Sequence, residues 1–175
     1  MAIMATAGDS KNYTPAPAGV HQVVCVDVID KGLLEVTYAG KTKTQHKISL
    51  VWQLTELRDD GKRQLVYKRY TCSLNEKATL RKDLESWRGR AFTREEEMGF
   101  DVESVLGANA LINVQHGQVG DRVYANVVAV MPLAKGMTKI KPADYIREKD
   151  RVESSPDQAD QADHNGPLTD DDIPF

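Results

Sequence analysis

The stretch Lys62–Gly89, KRQLVYKRYTCSLNEKATLRKDLESWRG, decides the fold, because it reads as a strand running directly into a helix. In its first half Val66, Tyr70, Cys72 and Leu74 share one face with Lys68, while Arg63, Leu65, Tyr67, Arg69 and Thr71 share the other. That two-residue period marks a half-buried strand, with the Val66 face toward the core. Ser73-Leu74-Asn75-Glu76 has the spacing of a capping box and predicts a helix after it. Leu80, Leu84 and Trp87 recur at i, i+4 and i+7 as a buried stripe, Lys77, Arg81, Lys82 and Arg88 lie largely away from it, and Gly89 ends the helix.

Toward the N-terminus, Asp60-Gly61 is a strong hairpin turn. Before it, Thr42–Leu54 alternates, with His46, Ile48, Leu50, Trp52 and Leu54 on one face and Lys43, Gln45, Lys47 and Ser49 on the other. Ala39-Gly40-Lys41 is the preceding turn. The β-branched run from Val20 to Ile29 resumes as Leu33–Tyr38 after Asp30-Lys31-Gly32, giving either two short strands or one long strand bent by a bulge at Gly32. Residues 1–18 are small, polar and proline-containing, and read as a flexible arm.

Toward the C-terminus, Thr93-Arg94-Glu95-Glu96 is a second capping box, and residues 100–107 read as a further helical turn or two. Two strands follow, Ala110–His116 and Arg122–Met131, joined by a turn at 117–121. Residues 133–150, with Lys135, Lys139 and Lys141, read as a basic linker with a brief helix near Tyr145, and residues 151–175 have the composition of disorder. Three strand regions, a helix and two more strands are the order of an OB-fold, a five-stranded Greek-key barrel with a helix between strands three and four. The expected fold is therefore mainly β, with that domain at 19–132 and a disordered tail behind it.

The formal net charge of −3 hides a polarised chain. Residues 151–175 hold seven acids against Arg151, a net of −6, and residues 1–150 hold 22 Lys and Arg against 19 Asp and Glu, a net of +3. Cys25 and Cys72 sit in separate apolar runs without metal-ligand spacing to any histidine, so zinc is not expected and both read as buried thiols of a reducing cytosol. The N-terminus lacks a basic signal-peptide region and no apolar run spans a bilayer, which predicts a cytoplasmic protein with no membrane partner. P-loop, GxSxG and HExxH motifs are all missing, so neither catalysis nor a cofactor is expected.

The last six residues, Asp170-Asp171-Asp172-Ile173-Pro174-Phe175, combine three carboxylates with an apolar, proline-stiffened end. Ile173 and Phe175 suit an apolar pocket and the acids suit a rim of Arg or Lys. This peptide closely resembles the terminal peptide of bacterial and phage single-stranded-DNA-binding proteins. The resemblance implies that the chain coats single strands and recruits replication and repair proteins through these residues. A second stretch, Leu80–Thr93 followed by Gly99-Phe100-Asp101-Val102 and Leu106–Val114, is similar to a signature of phage- and prophage-encoded replication proteins of the same type. A homo-oligomer is expected, although the strand motifs of the bacterial tetramer are missing from the N-terminal part.

Single strands are held by a basic groove that tracks phosphates and by rings on which bases stack. Strand parity selects Tyr67, flanked by Arg63 and Arg69, and then Tyr124, which shares a face with Arg122 and Asn126. Lys43 and Lys47 on the polar face of their strand suit phosphates. Trp52 groups with the core residues, with a groove-edge position as the alternative, and Trp87 belongs to the core stripe. Two other readings are a strand-annealing or recombination-mediator protein, and an interaction protein that mimics the terminal peptide to occupy its partners' pockets.

Overall fold

Alternating residues over Gly19–Tyr38 (β1), Lys41–Leu57 (β2) and Arg63–Thr71 (β3) build an antiparallel meander. The computed structural model, which describes residues 14–151, completes the sheet with Asn109–Val119 (β4) and Arg122–Met131 (β5). The strand order is β3-β2-β1-β4-β5. After the meander the chain crosses over through helical segments and β4 returns beside β1, which is a Greek-key path.

β1 is one continuous strand with bulges between Cys25 and Asp27 and between Asp30 and Gly32. The second bulge needs Gly32, whose φ of 72° is costly for a side chain, and its N–H donates to the Asp30 carboxylate at 2.8 Å. Both bulges bend β1 and help the sheet curl. The edges β3 and β5 come within 8 Å between Cα atoms, yet among the described residues no ladder joins them. Expectation and structure part here: the closed barrel is not reached. The helix Thr79–Arg88 (α1) packs against both edges instead, with Ser86 Oγ donating to the Val130 carbonyl at 2.7 Å. Asp83 of α1 accepts from Lys68 Nζ at 2.8 Å and from Tyr70 Oη at 2.7 Å.

The curled sheet encloses an inner face. Leu50, Trp52, Leu54, Val66, Tyr70, Ile112 and Val114 are fully buried there under Leu80, Leu84 and Trp87 of α1. Burial of the α1 stripe holds the helix, since a ten-residue helix is marginal alone. The helix begins later than its sequence predicts. Ser73 Oγ accepts the Asn75 N–H at 3.2 Å in a local turn, and Ala78 takes the N-cap position without a side-chain bond. Gly89 closes the helix in the left-handed region at φ 72°. The second capping box forms as read: Thr93 and Glu96 exchange side-chain and backbone bonds at the start of Arg94–Met98 (α2). A 3₁₀ turn, Val102–Val105, leads into β4.

Residues 133–150 are not a free linker. From Thr138 to Asp150 the chain lies as a strap across the outer face of the sheet, and a 3₁₀ turn at Glu148–Asp150 follows Tyr145. The end of the expected arm is also fastened, because Ala16 is buried and its carbonyl is 2.7 Å from His116 Nε2. Among the described residues no helix is long and apolar enough to cross a membrane. Nearly all of the expected acidic tail, including Asp170–Phe175, lies outside the described residues.

Candidate nucleic-acid interface

Parity on β2 and β3 places Lys43, Lys47, Tyr67 and Arg69 on the outer face, and the register confirms their neighbours. Lys47 lies opposite Thr71, Ser49 opposite Arg69 and Val51 opposite Tyr67. On β5, Arg122 lies opposite Val119, Tyr124 opposite Gly117 and Asn126 opposite Gln115. β3 and β5 are the two ends of the strand order, so the Tyr67 and Tyr124 groups are separate patches along the ladder.

Trp52 belongs to neither patch. It is fully buried on the inner face, 6.1 Å from Trp87 between ring centroids, so the groove-edge alternative is ruled out. Lys47 also departs from its expected role. Its side chain is 1% exposed and its ammonium donates to Thr71 Oγ1 at 2.7 Å, while Thr71 donates on to buried Gln45. A lysine enclosed in this polar cluster is not available to a phosphate.

The strap accounts for two more differences. Arg63 Nη1 donates to the Lys141 carbonyl at 2.9 Å, so its fork is engaged with backbone. Tyr67 is half-buried, and with Leu65 it packs against a small outer core of Val24, Val26, Ile29 and Val51 that Ile140 and Tyr145 cover. The expected stacking platform is thus the floor of the strap. Arg69, half-buried beside this floor, points the same way.

Fastening of the strap is largely polar. Gln53 and Asn109 each exchange two hydrogen bonds with strap backbone, Gln53 with Ala143 and Asn109 with Ile140, at 2.6–3.0 Å. Asp27, 1% exposed, accepts from Tyr145 Oη at 2.9 Å, Arg147 Nε at 3.0 Å and the Glu148 N–H at 2.9 Å. Burial first, and then the Asp27 charge, raise the Tyr145 phenol well above its ordinary range. Arg147 also bridges to Glu103, whose carboxyl it holds below the usual range.

The remaining candidates lie outside the strap. Arg122 is exposed and Tyr124 half-buried, like Tyr67, on the β4–β5 hairpin. Gly117 opposite Tyr124 offers no side chain to cover the ring, and a Cβ there would meet Asn126 Nδ2 at 2.5 Å. Lys43 is exposed on the β1–β2 hairpin. Sequence reasoning passed over Tyr38 on this same hairpin: it is 55% exposed and lies opposite Lys41. Its signal was present, a tyrosine directly before the Ala39-Gly40 turn, where strand alternation no longer requires burial.

The register fixes where these hairpins stand. β4 pairs with β1 only over Gly19–Val24 and runs outward past Gly19, whereas the β1–β2 hairpin lies at the Tyr38 end of β1. The two hairpins therefore project from opposite ends of the sheet, one with Tyr38, Lys41 and Lys43 and the other with Tyr124 and the single cation Arg122. Neither cysteine adds chemistry: burial pushes the Cys25 thiol up to about 12 and raises that of Cys72. Among the described residues no cluster of His, Cys, Asp or Glu could hold a metal ion. No family model matches this chain, and no curated protein is significantly similar to it.

Proposed function

We propose that this chain is a non-catalytic single-stranded-DNA-binding protein with an OB-like domain, which coats strands during replication, recombination or repair. On the same reading Asp170–Phe175 recruits partner proteins. The observation that carries the proposal is the pair of hairpins, one with Tyr38, Lys41 and Lys43 and the other with Arg122 and Tyr124, at opposite ends of one curled Greek-key sheet. Hairpins that flank the outer surface of strands two and three are where OB-type domains engage oligonucleotides. Cations there neutralise phosphates without reading sequence, and a tyrosine ring can stack on any base, which suits a strand-coating role.

Tyr124 gives the sharpest test because its ring, though half-buried, lies outside the strap and outside both apolar clusters. Tyr124→Ala should weaken binding of a poly-dT oligonucleotide by ~1–3 kcal/mol in a variant that still melts cooperatively. Unchanged affinity would remove the β4–β5 hairpin from the interface and the proposal with it.

A further inference from the structure

A strand joining the two hairpins must cross the middle of the outer face, where the strap lies. Three properties set the strap apart from ordinary packed chain. Among its described residues it forms no strand pair with the sheet, and only Ile140 and Tyr145 pack against the outer core. Side-chain amides of Gln53 and Asn109 hold its backbone, and these groups both donate and accept, as reading of nucleobase edges requires. It follows a turn at Gly136, where φ is 84°, and contains Asp144 at φ 51°, a conformation costly for a residue with a side chain.

We propose that the strap is a built-in competitor of the single strand, and that bases replace residues 138–150 on the floor formed by Tyr67, Val51, Gln53 and Asn109. This rests on the single-strand-binding reading above and assigns that reading a second, covered site. In the closed form the strap's backbone occupies the amides, Tyr145 covers the Tyr67 side of the floor, and the Asp27–Arg147 bond is the latch. When the strap leaves, one ring and two amide side chains become available to bases. Apparent affinity is then lower than intrinsic affinity by the fraction of molecules with the strap open. Short oligonucleotides would hold to a hairpin alone, and longer ones would gain the covered site.

The test is amide hydrogen exchange, read residue by residue, on the full chain titrated with a long poly-dT oligonucleotide while anisotropy records binding. The Ile140, Ala143 and Glu148 N–H groups are bonded in the free protein and should lose protection as the oligonucleotide saturates. Binding with those amides still protected, or more protected, would overturn the exchange and leave the single-strand reading intact, with the strand riding over the strap. Failure to bind at all would overturn both. Arg147→Ala, which removes the latch and leaves the floor untouched, should tighten poly-dT binding by about tenfold. Equal or weaker binding by a variant that still melts cooperatively would also overturn it.

Discussion

The two faces of the sheet are filled by opposite means. The inner face buries large apolar side chains under one amphipathic helix, and its tightness comes from removing hydrocarbon and ring surface from water. The outer face has a small apolar floor and depends on hydrogen bonds from Gln53, Asn109 and Asp27 to a strap with little structure of its own. Apolar packing is non-directional and survives small shifts, whereas a set of bonded amides and one buried carboxylate either fits its partner or loses most of its value. The inner face therefore suits a scaffold. The outer face suits a surface that can exchange what it holds.

Substitutions at the centre of each face should separate these two modes. Trp87→Ala empties the contact between α1 and Trp52 and strands the Asn109 carbonyl that its indole N–H reaches at 2.8 Å. It should cost ~3–5 kcal/mol in urea unfolding, the range for truncating a buried aromatic residue. Asp27→Ala leaves Arg147 and the Tyr145 hydroxyl without their acceptor and should cost ~2–4 kcal/mol, with the loss confined to the strap in hydrogen exchange. Global unfolding of that variant would mean the strap is part of the scaffold and the division between faces is wrong.

The two tyrosines should behave differently from one another. Tyr67→Ala should lower stability by ~1–2 kcal/mol, because its half-buried ring supports Ile140 and Tyr145. Tyr124, equally half-buried but outside both apolar clusters, should lose less on substitution by Ala, ~0.5–1 kcal/mol. Equal stability losses would show that packing under the strap does not distinguish the two patches.

The smallest effect concerns α2. The Arg88 guanidinium, and then the Thr93 N–H, hold the Glu96 carboxyl at about 2 against an ordinary 4.5. A depressed folded-state value means the contribution is present above pH 4.5 and is lost as pH falls toward 2. Protection of the α2 amides should decline through that window before the sheet amides respond. Glu96→Gln should remove the decline, and its persistence there would assign it to another group.

Sequence was a good guide to the inner face and a poor one to the outer. Leu50, Trp52 and Leu54, Val66 and Tyr70, and the stripe Leu80-Leu84-Trp87 are read directly, because one buried face leaves a period that apolar residues report. Lys68 broke that pattern and still fitted, since its ammonium reaches Asp83 at 2.8 Å beside α1. Lys47 and Gln53 carry the code of solvent yet are buried, because polar partners across the strand or on the strap replace water. Asp27 finds Arg147 at a separation of 120 residues, and nothing local in either segment announces the pair. The strap was hidden by its own composition. Lysines and a proline read as a linker, and its attachment uses backbone groups that every sequence has.

The central claim, that the outer face serves single strands, is tested most directly by measuring poly-dT and a duplex of equal length against one protein sample across a salt series. Affinity for poly-dT should exceed that for the duplex, and its logarithm should fall linearly with log salt, with a slope of ~0.7 for each cation engaged. Lys41, Lys43 and Arg122 would contribute to that slope, and Lys47 would not. Equal affinity for duplex and single strand, or poly-dT binding without salt dependence, would contradict the claim.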